Sequence, residues 1–235
     1  MSCFLNASQI GAALPYQRTA LLAVKDSTQR ITKMNIEQAM RGLSSARPMF
    51  HSEADFQFAL SRAISAIHPD ALIELEVPIF GVGEIDIIVH LDGQLYAIEL
   101  KYKKALLSTE HNGRAYSLKK DGAADIGRCL FIKDITRLES FKGAIGFAIL
   151  LSNEPAYWKG SRASGVSNNF DVSEGRIIPA GISLDWRAGA SDGTRKGNGA
   201  PFVMMKEHSI SWSNYSTIAG SEFRYAIVKT EGGDV

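Results

Sequence analysis

The sequence predicts an α/β fold in which a helix, three strands, a second helix and a fourth strand follow one another. Three observations support this order. Apolar residues recur at helical spacing over residues 52–67. Two β-branched, apolar runs flank Asp92-Gly93, the strongest short signal for a β-hairpin. A continuous apolar run at residues 143–151 is typical of a buried strand.

Each element has its own local signal. Ser52 is a suitable N-cap for the first helix, and Asp55 three residues later gives a weak capping box. Residues 71–80 alternate apolar and acidic side chains, which predicts a first strand with one wetter face. Residues 119–141 are mostly helical in pattern, with a break expected near Gly127.

The chain of 235 residues is expected to form one elaborated domain. We divide it into an N-terminal helical arm (1–45), a core (46–151) and a loop-rich elaboration (152–235) whose late strands complete the domain. Short helical patterns occupy residues 9–24 and 36–43, and late strands are predicted at 206–217 and 222–230.

Composition favours an ordinary globular protein, with 45% apolar and 22% charged residues. Cys3 and Cys129 are far apart and fit neither a metal-binding spacing nor a disulfide framework. No apolar run is long enough to span a membrane, and the N-terminus lacks an export signal. A cytoplasmic protein without a membrane partner is therefore expected.

The near-neutral net charge of +1 hides a strong asymmetry. Residues 51–100 contain nine acids and a single base, Arg62, whereas residues 101–142 contain ten Lys or Arg and five acids. Acids that could hold a metal, followed by bases that could contact phosphate, are the combination that a nuclease needs.

The hairpin carries the most informative residues. If Asp92-Gly93 is a two-residue turn, Asp86 lies opposite Glu99 on the same face as Lys101. Two opposed carboxylates destabilise a sheet, so a divalent cation between them is the favoured interpretation. Two alternatives remain: a metal-free polar pair, and a salt bridge from Lys101 to Glu84, its expected cross-strand partner.

Asp86, twelve intervening residues and then Glu99-Leu100-Lys101 resemble the motif of the PD-(D/E)XK nuclease superfamily. The resemblance covers roughly residues 50–151 and departs from the motif at Ile85, which stands where proline precedes the aspartate. It implies a restriction-endonuclease-like fold, with a mixed central sheet flanked by helices.

The resemblance also implies roles for individual residues. One Mg²⁺ (or Mn²⁺) would be held by Asp86, Glu99 and the Leu100 carbonyl, and Lys101 would position the attacking water or stabilise the reacting phosphate. Glu53 is added as a fourth metal and catalytic candidate because it falls near the apolar stripe of the first helix. Alternatively, Glu53 merely complements the helix N-terminus.

Basic residues after the hairpin are candidates for phosphate contacts. In the second helix, Arg137 could touch substrate, or could pair with Asp134 at i,i+3. Aromatic residues interleaved with arginines at 153–200 could stack on bases or pack onto the core. The nucleic-acid-binding candidates are Lys103, Lys104, Lys119, Lys120, Lys133 and Arg137.

These observations together predict a Mg²⁺-dependent phosphodiesterase, an endonuclease that acts on DNA. A catalytically silent nucleic-acid- or protein-binding module of the same fold is the alternative from another class, and an RNA-directed nuclease is a third hypothesis. Cutting both strands of a duplex would favour a homodimer. No P-loop is present, so a motor or specificity subunit would be a separate chain.

Overall fold

A computed structural model describes residues 33–160 and 165–231. In these residues a six-stranded mixed sheet lies between two layers of helices and loops. The α/β class and the mixed, helix-flanked sheet are thus confirmed. The helical pattern predicted at residues 9–24 lies outside the described residues. Within the described part of the chain, no helix is long and apolar enough to cross a membrane.

The helices are α1 (Ile36–Ala46), α2 (Glu53–Ile67), α3 (Ala124–Ser140) and the short α4 (Asp192–Arg195), with a 3₁₀ turn at Asn168–Phe170. The first six strands are β1 (Leu72–Ile79), β2 (Gly83–Leu91), β3 (Gln94–Lys103), β4 (Leu107–His111), β5 (Arg114–Leu118) and β6 (Ala144–Ser152). The later strands are β7 (Ile177–Ile178), β8 (Ser183–Leu184), β9 (Phe202–Val203), β10 (His208–Ser209), β11 (Trp212–Ile218) and β12 (Ser221–Glu231).

The central sheet has the strand order β1-β2-β3-β6-β12-β11. Only the central pair β3 and β6 is parallel, and α3 makes the crossover between these two strands. The other four neighbouring pairs are antiparallel. The late strand predicted at 222–230 is confirmed as β12, and the one predicted at 206–217 is confirmed from Trp212 onward as β11. Both extend the main sheet, whereas β10 pairs with β7 outside it.

One layer consists of α1 and α2. The Ser52 hydroxyl caps α2 by accepting a hydrogen bond of 3.1 Å from the Asp55 N–H, as predicted. Phe56 and Leu60 are fully buried against the sheet, and Met40 of α1 joins the same core. Burying each of these side chains stabilises the fold by about 1.5–3 kcal/mol. The predicted helix at 36–43 is therefore an integral part of this layer.

The other layer consists of α3 and the loop-rich elaboration. The aromatic side chains of this elaboration that were considered for base stacking, Tyr157, Trp158, Phe170 and Trp186, are all buried in the core on the α3 face. The packing alternative is therefore the correct one, and base stacking by these residues is excluded by their burial.

The break expected at Gly127 is wrong, because α3 runs without interruption from Ala124 to Ser140. The glycine serves close packing: a Cβ at this position would collide with the Tyr157 hydroxyl. Because the helix begins at Ala124, Lys119 and Lys120 lie in the connection that precedes it.

A two-stranded ribbon formed by β4 and β5 follows β3 and was not predicted. Its turn is Asn112-Gly113, and both residues have positive φ (50° and 71°), as a two-residue hairpin turn requires. Tyr116 of the ribbon stacks on His51, with ring centroids 4.6 Å apart. The ribbon is thereby attached beside the start of α2.

Candidate active site

The hairpin of β2 and β3 forms with the predicted turn. Asp92 and Gly93 have φ values of 49° and 77°, which fit a two-residue turn with positive φ at both positions. The expected register is confirmed for five pairs, from Leu91 opposite Gln94 to Ile87 opposite Ile98.

The ladder ends at Ile87, one residue before Asp86. Ile85 and Ile87 are two residues apart, yet they pack into cores on opposite faces of the sheet, so β2 twists at Asp86. On the neighbouring strand, Glu76 has a φ of 52° and is left out of the β1–β2 register. The predicted backbone pairing of Asp86 with Glu99 is therefore wrong, because the irregularity separates the strands at this point.

Beyond Ile98, the edge of β3 that faces β2 has no main-chain hydrogen-bond partner. Side-chain oxygens take the place of the missing main-chain acceptors. Alternate N–H groups of a strand point to the same side, so successive donors need separate acceptors along this edge. Three carboxylates supply them: Asp86 Oδ2 accepts from the Leu100 N–H (2.6 Å), Glu53 Oε2 from the Tyr102 N–H (2.6 Å) and Asp121 Oδ2 from the Lys104 N–H (2.8 Å).

Gln57 of α2 holds the twisted part of β2 in place. Its amide nitrogen donates to the main-chain carbonyl of Asp86 (2.7 Å) and to a carboxylate oxygen of Glu76 (2.5 Å). Gln57 is buried, and it connects the helix that carries Glu53 to the strand that carries Asp86. Gln57 was not predicted as a site residue, although it lies one helical turn after Glu53 on α2.

Glu99 is the most unusual residue of the site. Its side chain is 1% exposed, and Oε2 forms an ion pair of 2.8 Å with Arg137 of α3. Burial, with further contributions from the Asp134 and Asp86 carboxylates, raises the pKa of Glu99 to about 9. Without a stronger cation, this carboxyl group is held protonated near neutral pH.

Lys101 points to the same helix as Glu99. Its ammonium group lies 2.8 Å from Asp134 Oδ2 and donates to the Leu100 carbonyl at 3.1 Å. Burial lowers the pKa of Lys101, but the adjacent Asp134 carboxylate outweighs this and raises the pKa above its ordinary value. The salt bridge to Glu84, considered from the sequence, is wrong: within the described residues the lysine pairs with Asp134.

Asp134 joins the two cations of this cluster. It also accepts a hydrogen bond of 2.7 Å from Arg137, which confirms the i,i+3 pairing considered from the sequence. Burial raises the pKa of Asp134, while Lys101 and Arg137 oppose that effect. The sequence predicted only the local contact, because the docking of α3 onto β3 is a tertiary event.

Three of the lysines predicted to bind phosphate line a cavity of about 180 Å³ at the end of β3: Lys103, Lys104 and Lys120. Lys104 pairs with Asp121 (3.1 Å), and Lys120 pairs with Glu154 (3.6 Å). Lys119 is exposed in the same connection.

Lys133 does not join this group. Its ammonium group lies 3.5 Å from Asn198 Oδ1 and 5.7 Å from the Phe202 ring centroid, against the C-terminal elaboration.

The oxygen ligands available at the site are of the type that a hard divalent cation prefers. Asp86 and Glu99 offer carboxylate oxygens, and the Leu100 carbonyl lies on the same strand edge as the N–H that Asp86 caps. Oε1 of Glu99 is buried and has no hydrogen-bond partner among the described residues. Across the same residues, no group of three or more His, Cys, Asp or Glu side chains is arranged to hold a metal. Any cation would thus rely on Asp86, Glu99, the Leu100 carbonyl and water, with Glu53 as a further carboxylate on the same strand edge.

No family model, curated protein or solved structure matches this chain.

Proposed function

We propose that the protein is a metal-dependent nuclease with a restriction-endonuclease-like fold that hydrolyses phosphodiester bonds in DNA. The observation that carries the proposal is the environment of Glu99. A buried carboxyl group with an unpaired oxygen and other acids nearby is a site of perturbed pKa, and such sites cluster where proteins bind ligands or perform chemistry.

The roles follow from position and charge. Asp86, Glu99 and the Leu100 carbonyl would hold Mg²⁺ or Mn²⁺. Glu53, on the same strand edge, would be a further ligand. When bound, the ion supplies neutralisation of phosphate charge and acidification of a water molecule. Lys101, fixed by Asp134, presents its ammonium group to the water or to the reacting phosphate.

The surroundings support a polyanionic substrate. The turn between β1 and β2 and the β4–β5 ribbon both extend from the end of the sheet at which β3 finishes. The β1–β2 turn carries the exposed apolar side chain of Phe80, and exposed Leu106 immediately precedes the ribbon. Lys103, the last residue of β3, lines the cavity at this end of the sheet and has no ion-pair partner in the described part of the chain. A charged strand that crosses this end would meet lysines next to the carboxylates.

One observation favours a second candidate, a catalytically silent binding module. Lys101 and Arg137 already contact Asp134 and Glu99, so the cluster could be a closed polar network without a metal. The unpaired Oε1 of Glu99 weighs against that arrangement, because a network retained for structure tends to satisfy every buried atom.

The deciding experiment is cleavage of supercoiled plasmid and of single-stranded circular DNA with Mg²⁺ or Mn²⁺. Wild-type protein is compared with Asp86→Ala and with Asp70→Ala, a control that removes an exposed acid at the opposite end of β1. We expect metal-dependent nicking by the wild type and the control, and loss of nicking in Asp86→Ala. Equal behaviour of the wild type and Asp86→Ala would reject the DNA nuclease and favour the binding module, or RNA as the substrate.

A further inference from the structure

Four charged residues of the site form a single chain of contacts that links the catalytic lysine to the proposed metal ligand. We call this set the polar network: Lys101, Asp134, Arg137 and Glu99. Asp134 Oδ2 lies 2.8 Å from Lys101 Nζ, and Asp134 Oδ1 lies 2.7 Å from Arg137 Nη2. The same Nη2 atom lies 2.8 Å from Glu99 Oε2. Arg137 therefore supplies the positive charge that Glu99 faces.

The hold of Arg137 on Glu99 is incomplete. A single nitrogen, Nη2, serves both Asp134 and Glu99. Within the described residues, Arg137 Nε and Glu99 Oε1 are buried without a hydrogen-bond partner. The strong arrangement of an arginine and a carboxylate is a pair of parallel hydrogen bonds, and that arrangement is not made here. The guanidinium group is thus a partner that another cation can replace.

Arg137 is also the member of the network with room to move. Its side chain is 29% exposed, whereas those of Glu99 and Asp134 are 1% and 7% exposed. The side chain passes over Gly83, which has a φ of 117°, and a Cβ there would lie 3.5 Å from Arg137 Cδ. Gly83 is itself exposed, so the neighbouring Arg137 side chain lies near the surface of the protein.

We propose that a divalent cation replaces the Arg137 guanidinium group next to Glu99, and that the displaced guanidinium group then binds the substrate phosphate. This rests on the proposed nuclease function. In the metal-free protein Arg137 is the cation that faces the Glu99 carboxyl group at 2.8 Å, and a doubly charged ion is the stronger partner for that group. A guanidinium group is well suited to phosphate. Asp134 keeps its contact with Lys101 throughout, so that only Arg137 changes partner.

The test measures Mn²⁺ binding by titration calorimetry without nucleic acid, together with cleavage rates under saturating metal. Wild type is compared with Arg137→Gln, Arg137→Lys and the control Arg41→Gln, which removes an exposed arginine on α1. Removing the competing charge is expected to tighten Mn²⁺ binding about tenfold or more. The same Arg137→Gln change is expected to slow cleavage about a hundredfold, because the phosphate loses a contact. Arg137→Lys keeps the positive charge and should bind Mn²⁺ nearly as the wild type does. Circular dichroism and thermal melting check that each variant is folded.

The results separate the two ideas. Unchanged or weaker Mn²⁺ binding in a folded Arg137→Gln protein would overturn the competition, since a purely structural arginine would not oppose the metal. Tighter binding with unchanged cleavage would overturn the phosphate contact. If the wild type does not bind Mn²⁺, or if Asp86→Asn leaves its Mn²⁺ binding unchanged, the proposed function itself fails and Arg137 has only a structural role.

Discussion

Exchanging Glu99 for Gln is expected to make the metal-free protein more stable while it abolishes metal-dependent cleavage. The pKa of Glu99 rises from an ordinary value of 4.5 to about 9 in the fold. At neutral pH the folded protein must therefore carry a proton that the unfolded chain does not bind. A glutamine is neutral in both states and nearly identical in shape, so the variant avoids this protonation.

The magnitude follows from the two pKa values. Protonating a carboxyl group of ordinary pKa costs about 3 kcal/mol at about pH 7, since each pH unit corresponds to about 1.4 kcal/mol. For a group whose folded pKa is raised, stability is greatest below the ordinary pKa and is lost as pH rises towards the folded pKa. The advantage of Glu99→Gln should therefore be below about 1 kcal/mol near pH 5 and should widen to about 3 kcal/mol near pH 7.

Urea unfolding in the presence of a chelator measures this difference at several pH values. Glu110→Gln serves as the control because Glu110 is an exposed acid on the β4–β5 ribbon, and its effect should stay small at every pH. A Glu99→Gln protein that is less stable than the wild type, or whose advantage does not grow with pH, would refute the reasoning about burial. Retained cleavage by the same variant would refute its role as a metal ligand.

Three further outcomes are expected. Because Glu99 holds a proton below its raised pKa, Mn²⁺ must displace that proton, so the affinity measured by calorimetry should rise up to about tenfold per pH unit from about pH 6 to 8; a flat profile would contradict this. Lys101→Ala should slow cleavage about a hundredfold without weakening Mn²⁺ binding, and parallel losses of both would assign the lysine to structure. Glu53→Gln should largely abolish metal-dependent cleavage with an unchanged melting curve, because the amide oxygen can still accept the Tyr102 N–H; unchanged turnover would remove Glu53 from the site.

The local parts of the site were predictable, because short-range chemistry determines them. An Asp-Gly turn sets the register of a hairpin, and Ser52 begins a helix whose apolar face is evident from spacing. Asn112-Gly113 carries the same turn signal, so the β4–β5 ribbon could also have been predicted from its sequence.

The twist at Asp86 could not be predicted, because its cause lies on another strand. Glu76 adopts a positive φ, a conformation that a glutamate sequence does not signal, and Gln57 holds it from α2. The partners of Glu99 and Lys101 depend likewise on how α3 docks. These contacts with α3 join residues more than thirty positions apart, where periodicity carries no information.

The acidic side chains next to β3 differ in whether they accept a main-chain N–H of that strand. Asp86, Glu53 and Asp121 each accept a main-chain N–H that would otherwise be unpaired, so each has a structural reason to place a side-chain oxygen there. Glu99 has none: within the described residues it caps no backbone group, and its one partner is Arg137.

A leucine or glutamine at position 99 would relieve the cost of burying that carboxyl group. Glu99 weakens the fold and, among the described residues, pairs only with Arg137, which is what the proposed ligand site would explain. The Asp134 and Asp86 carboxylates near Glu99 favour a divalent cation as that ligand. The stability gain expected for Glu99→Gln and the loss of cleavage in the same variant therefore test one physical statement from its two sides.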